Sequence, residues 1–208
     1  MPVFYKNDKS VLFVHIPKAG GTTVEHKMVR NGWKVDLHEN CAHKDTLGHY
    51  MHCPPQHMHM AQLRGILNLA KFDYVFCVMR DPVRRAISEY LWRVKHFRLT
   101  KPADEWLPAM LLKFRADPFV CENHIRPQAA FVPERSLGDT FALENGLEQV
   151  FGALEQAVGE EIARKPGERL MESSASTGEV IGDETHRALA ALYKEDVALH
   201  ASVKARSL

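Results

Sequence analysis

A chain of 208 residues with 45% hydrophobic and 25% charged side chains is long enough to bury a core as a single domain over 1–208 and has an ordinary soluble globular composition. Its formal net charge of +1 gives no bulk field for nucleic acid or an anionic membrane, so any anion site must be local. No apolar run approaches the roughly 18 residues of a membrane span, the opening MPVFYKNDKS lacks a secretory apolar core, and the cysteines at 41, 53, 77 and 121 form no CxxC pair, which reads as free thiols in a cytoplasmic protein.

In chain order, residues 11–16 (VLFVHI) form a short β-rich apolar run ended by Pro17, the pattern of a buried strand. From Thr22 the period becomes helical, with Val24 and Met28 on one face and Gly32 as the stop. Residues 33–37 read as a further strand, and 38–59 as irregular. Residues 60–70 place Met60, Leu63, Ile66, Leu67 and Ala70 at helical spacing. Residues 74–79 (YVFCVM) are another buried strand. Asp81 then caps a helix with Pro82 in its first turn, running to about Phe97, because Pro lacks the N–H that would be orphaned there. Beyond it the chain is mostly helical, with breaks expected at Pro102, Pro108, Pro118, Pro127 and Pro133. Residues 165–182 read as a surface loop with room for one short strand, and one last long helix starts at Asp183. Alternating strands and helices predict an α/β fold: a small parallel sheet, P-loop-like and flanked by helices, with a mostly helical C-terminal half.

The segment VHIPKAGGTT, residues 14–23, carries the first chemical signal. A strand that enters a helix through a glycine-containing loop gathers backbone N–H groups at the positive end of the helix dipole. Gly20 and Gly21 permit close approach of a ligand, Thr22 and Thr23 add hydroxyls, and Lys18 adds a full charge. This is a cradle for phosphate or sulfate; the plain alternative is a strand-to-helix turn with Thr23 as N-cap and Lys18 solvated. A Walker A loop places its Lys after the glycines, whereas here the Lys precedes them. The second signal is FCVMRDPVRRAISEY. It sets Arg80 at the carboxyl end of a strand, where parallel sheets bind ligands, and Ser88 two turns into the next helix. An Arg and a hydroxyl so placed suit a second phosphate; the alternative is a solvated basic face of Arg80, Arg84 and Arg85 paired with Glu89.

These two segments resemble the sulfotransferases that use 3′-phosphoadenosine 5′-phosphosulfate (PAPS). The closer likeness is to the carbohydrate group with the loop FVHIPKTGGTS, which includes heparan sulfate 2-O- and 6-O-sulfotransferases and chondroitin sulfotransferases. The resemblance implies that Pro17, Lys18, Ala19, Gly20, Gly21, Thr22 and Thr23 form the 5′-phosphosulfate loop. Arg80 and Ser88 match its 3′-phosphate motif. NHIRPQAAF at 123–131 resembles the family's HxRPQ segment, which brings Arg126 and Gln128 into the cofactor-binding set. The likeness covers about residues 11–131 and is weak beyond. It implies transfer of a sulfuryl group to a hydroxyl of a glycan or similar acceptor, with Lys18 near the bridging oxygen and no metal.

Six of the twelve histidines lie between His38 and His59, together with Cys41 and Cys53. A His/Cys metal-binding module is one reading, although no CxxC or helical His pair supports it. The segment PQHMHMAQLR resembles the family stretch that carries a catalytic base, a His ahead of a helix with an acidic or amide residue five positions on. His57 with Gln62 fits best, His59 second and His49 third; an imidazole with an ordinary pKa near 6.5 suits a base at neutral pH. The other enzyme class compatible with these motifs is a nucleotide-dependent phosphotransferase on a related fold, for which Asp81 is the one candidate metal ligand at a strand end.

Overall fold

The computed structural model describes residues 2–39, 44–163 and 181–206. Strands β1 (Val3–Lys6), β2 (Lys9–Val14), β3 (Lys34–Asp36), β4 (Tyr74–Met79) and β5 (Asp139–Ala142) form one sheet in the order β3-β1-β2-β4-β5. The sheet is mixed, not parallel as expected. β1 runs antiparallel to β2 and β3, while β2, β4 and β5 are parallel. The difference comes from β1, which pairs with β2 across a two-residue turn. Asn7 and Asp8 both have positive φ, 45° and 62°, as a tight hairpin requires and as Asn and Asp tolerate better than most residues.

The apolar runs of β2 and β4 are continuous because both faces of the sheet are covered. Leu12, Val14, Val75, Cys77 and Met79 face one core with Leu63 and Val203. Val11, Phe13, Phe76 and Val78 face the other with Val24, Met28, Val150 and Leu154. The helices that supply those residues are α1 (Gly21–Arg30), α2 (Met60–Ile66), α5 (Glu148–Val158) and α7 (Lys194–Ala205). A third cluster joins α3 (Pro82–Phe97), α4 (Ala103–Ala116) and α6 (Asp183–Leu192) through Ile87, Trp106, Leu107 and Leu189.

Several expectations shift. The helix expected over 60–70 stops at Ile66, and the chain makes a 3₁₀ turn at Leu69–Lys71 instead. Pro108 lies inside α4 and does not break it. Proline removes one backbone hydrogen bond, and the buried Trp106, Leu107, Met110 and Leu111 hold the helix around it. The last helix is two, α6 and α7, divided at Tyr193, whose buried hydroxyl donates to the Ile125 carbonyl at 2.8 Å. Most of the expected loop at 165–182 lies outside the described residues.

Candidate active site

The carboxyl ends of β2 and β4 open onto a cavity of about 660 Å³, within the ordinary range for a small-molecule site. Lys18, Gly20, Gly21, Thr22 and Thr23 line it from the loop after β2. Arg80, Arg84, Ser88 and Trp92 line it from the end of β4 and from α3. His15, His57 and His124 close one side, and Leu143, Glu144, Gly146 and Leu147 another.

The loop after β2 takes its shape from two left-handed residues, Lys18 at φ 66° and Gly20 at φ 86°. Gly20, not Thr23, is the N-cap of α1, so both threonines stand in the first helical turn. A Cβ on Gly20 would meet Leu143 Cδ1 at 2.9 Å, and one on Gly21 would meet His15 Nε2 at 1.9 Å. The two glycines therefore keep room for the imidazole and for whatever the loop encloses. Pro17 and Ala19 are buried, Ala19 within the core, and neither lines the cavity. Lys18 Nζ lies 5.0 Å from the centre of the Trp92 ring. Burial lowers its pKa, the Glu89 carboxylate opposes that, and Arg80 and Arg93 add to it.

Arg80 is fixed from both sides. Its N–H donates to Gln128 Oε1 at 3.0 Å, its carbonyl accepts from Gln128 Nε2 at 2.8 Å, and its guanidinium donates to the Lys18 carbonyl at 3.3 Å. Gln128 is fully buried and acts as a substitute strand neighbour at the end of β4, so it reaches the cavity through Arg80 and not directly. Asp196 on α7 accepts from the N–H groups of Gln128 and Ala129 at 2.7 and 2.8 Å. One turn on, His200 pairs with Glu144 at 2.8 Å, and Glu144 accepts from the Asp81 N–H at 2.8 Å. Burial alone would raise the Glu144 pKa, but His200 and the Asp81 N–H hold it at about 2. Asp81 caps α3 through the Arg84 N–H at 2.8 Å, so its carboxylate already has a structural task.

Arg126 lies away from the cavity lining. It donates to Asn123 Oδ1 at 2.8 Å and to the Pro118 carbonyl at 2.9 Å, with its guanidinium over the Phe119 ring. Arg85 belongs to no solvated basic face: it is 1% exposed and donates to the carbonyls of His124 and Arg126. Glu89, also buried, pairs with His124 at 2.6 Å and Arg93 at 2.7 Å.

Of the three candidate bases, only His57 reaches the cavity. Its ring stands edge-to-face between His15, at 4.8 Å between centroids, and His124, at 4.7 Å. Burial lowers its pKa well below 6.5, and the neighbouring imidazoles His124 and His15 add to the effect. His59 starts α2, where its N–H donates to Gln62 Oε1 at 3.1 Å, and burial next to Arg126 pushes its pKa to about 4. His49 is exposed beside Tyr50. Gln62 does not meet the His57 ring. Instead the buried Asn123 donates to both the His57 carbonyl, at 2.9 Å, and Gln62 Oε1, at 3.2 Å. The motifs did not single out His15 and His124, although both stand within the quoted segments VHIPKAGGTT and NHIRPQAAF, nor Trp92 and the lining residues Leu143, Glu144, Gly146 and Leu147, which lie outside those segments. Among the described residues no three His, Cys, Asp or Glu side chains cluster to hold a metal; Cys41 and His43 lie outside them.

A family model described as the sulfotransferase family matches residues 1–125, more than half of the chain. The chain belongs to the sulfotransferase family. The matched span contains the β2 loop, the end of β4 and all three cavity histidines. The crystal structure of a sulfotransferase from Alicyclobacillus acidocaldarius is similar at a TM-score of 0.40 and 18% identity, over 62% of this chain and 53% of that one. The chain thus spans about half the length of that solved sulfotransferase. No curated protein matches this sulfotransferase-family chain.

Proposed function

We propose that this protein is a PAPS-dependent sulfotransferase, working as one domain on a carbohydrate-type hydroxyl with His57 as general base. The observation that carries the reading is convergence. Segments about sixty residues apart in sequence, the 18–23 loop and the Arg80/Ser88 pair, line one cavity with a neutral imidazole on its wall. PAPS supplies an activated sulfuryl group with a bisphosphate leaving group; the chain supplies its seat. The loop N–H groups and the α1 N-terminus form a P-loop-like cradle for the 5′-phosphosulfate. Lys18, held low over Trp92, stabilises charge that builds on the bridging oxygen. Arg80 and Ser88 take the 3′-phosphate, with Gln128 and Asp196 fixing Arg80 from behind. His57 takes the acceptor proton.

Adenosine 3′,5′-bisphosphate, adenosine 5′-phosphate, ATP and zinc, compared by thermal shift, test the reading. At 100 times its Kd the bisphosphate stabilises by about 2.7 kcal/mol. Arg80→Ala removes roughly 2–5 kcal/mol of affinity for it and far less for the 5′-phosphate. Equal losses for both nucleotides, or a shift with zinc alone, overturn it.

A further inference from the structure

We propose that His15, Glu25 and His38 form a proton relay that connects the cavity to solvent on the far side of α1. The proposal rests on the sulfotransferase reading, in which each turnover releases one proton beside His57.

Glu25, in the second turn of α1, is 9% exposed. It faces two imidazoles at once: Oε1 lies 2.8 Å from His15 Nδ1, and Oε2 lies 3.2 Å from His38 Nε2. The two histidines open on different spaces. His15 lines the 660 Å³ cavity with His57. His38 is exposed and borders a separate hollow of about 370 Å³ with His26, Val29, Arg30 and Val35. A carboxylate on Nδ1 leaves the lone pair on Nε2 of a neutral imidazole, and His15 Nε2 lies against Gly21. The gradient runs outward. Burial lowers the His15 pKa, while the bond to Glu25 raises that of His38. Burial would raise the Glu25 pKa, but the two imidazoles hold it at about 2.

In the step, the acceptor O–H breaks as its oxygen bonds to sulfur, the bond from sulfur to the bridging oxygen breaks and leaves its electron pair on the departing bisphosphate, and the acceptor proton goes to His57. His57 gives it to Nε2 of His15, whose Nδ1 proton passes to Glu25. Nε2–H of His38 already donates to Glu25, so the exposed His38 ring turns over, takes the Glu25 proton on Nδ1, turns back and releases that proton to solvent. One proton enters and one leaves; rotation of the carboxyl and imidazole groups restores the starting tautomers.

The test measures release of the bisphosphate from PAPS in dilute, imidazole-free buffer, with methyl β-D-glucoside and water as acceptors. His38→Ala, His38→Gln and Glu25→Gln each lower kcat about tenfold or more, with bisphosphate Kd unchanged. Gln at 38 keeps a donor for Glu25 but cannot pass a proton on, so a merely structural role would tolerate it. Added imidazole restores His38→Ala saturably, since the hollow admits the ring, and does not restore Glu25→Gln. Nitrogen NMR of the full chain without nucleotide finds His15 protonated on Nδ1. Wild-type kcat in His38→Ala or His38→Gln, a loss that imidazole fails to restore, or a proton on His15 Nε2 overturns the relay and leaves the sulfotransferase reading standing. A wild type that releases no bisphosphate from PAPS overturns both.

Discussion

His57 owes its position to its neighbours more than to its own segment. Its carbonyl is held by Asn123, its ring by His15 and His124, and each of those imidazoles is backed by a buried carboxylate, Glu25 or Glu89. Asn123 itself ends a run of three left-handed residues, Cys121, Glu122 and Asn123, at φ 55°, 56° and 71°. Such backbone costs about 1–3 kcal/mol per residue and persists where its surroundings fix it. Here it delivers the Asn123 amide to the His57 carbonyl and the His124 ring to the His57 imidazole. His57→Ala lowers the transfer rate roughly 10²–10⁴-fold with bisphosphate binding intact, while His59→Ala and His49→Ala, both outside the cavity, keep the rate. A normal rate in His57→Ala with collapse in either of the others reassigns the base. Because burial and the adjacent imidazoles lower the His57 pKa, the imidazole proposed as base is already neutral at neutral pH. The acid limb of kcat/KM therefore falls below pH 6.5. The limb of kcat lies higher, because a bound anionic donor stabilises the imidazolium. Both limbs vanish in His57→Ala.

At the scale of the element, the C-terminal end of β4 is held by α7, which follows it by more than a hundred residues. Asp196 and His200, one turn apart, act through Gln128 and Glu144 on Arg80 and Asp81. Asp196 meets two N–H groups inside the protein, and burial raises its pKa against that pull and the Arg85 charge. Gln128→Ala leaves the Arg80 N–H and carbonyl without their partners at the strand end. It lowers unfolding free energy by roughly 1–3 kcal/mol, read as an earlier urea midpoint at constant slope. It also weakens bisphosphate binding, since Arg80 loses its fixed origin. A variant with wild-type midpoint and wild-type affinity removes Gln128 from the supporting set.

For the whole molecule, the paired histidines and carboxylates set a direct dependence of stability on pH. Burial lowers the folded pKa of His15, His57 and His59 below 6.5. Below that value the unfolded chain binds protons that the folded chain does not, so stability falls. His38, raised by Glu25, works in the opposite sense as one group against three. Glu25, Glu89 and Glu144 resist their own burial through His and Arg partners and sit at about 2, below an ordinary 4.5. Their contribution is complete above about 4.5 and is lost as pH falls toward 2. Thermal unfolding from pH 8 to 2.5 shows a first decline in Tm below about 6.5 and a steeper one below about 4.5. A Tm that is constant from pH 8 to 3 contradicts this.

The strand runs at β2 and β4, the Asp81–Pro82 start of α3 and its end at Phe97, and the order of Lys and glycines in the β2 loop were legible in the sequence. Each is set by neighbours along the chain: apolar runs, a cap, a missing N–H, a residue without Cβ. The likeness of two short segments to one family pointed to the same cavity. β1 was missed because four residues give too little periodicity, although Asn7-Asp8 is a hairpin signal. β5 was missed because it is a strand only by parallel pairing with β4. The roles of Gln128, Asp196, Asn123 and the His15–Glu25–His38 set were beyond reach for a related reason. Their partners lie 10 to 68 residues away, and a buried polar side chain takes its meaning from the group that satisfies it. Local pattern fixed which residues could hold an anion; the packing of α1, α3 and α7 around the strand ends decided which histidine meets them.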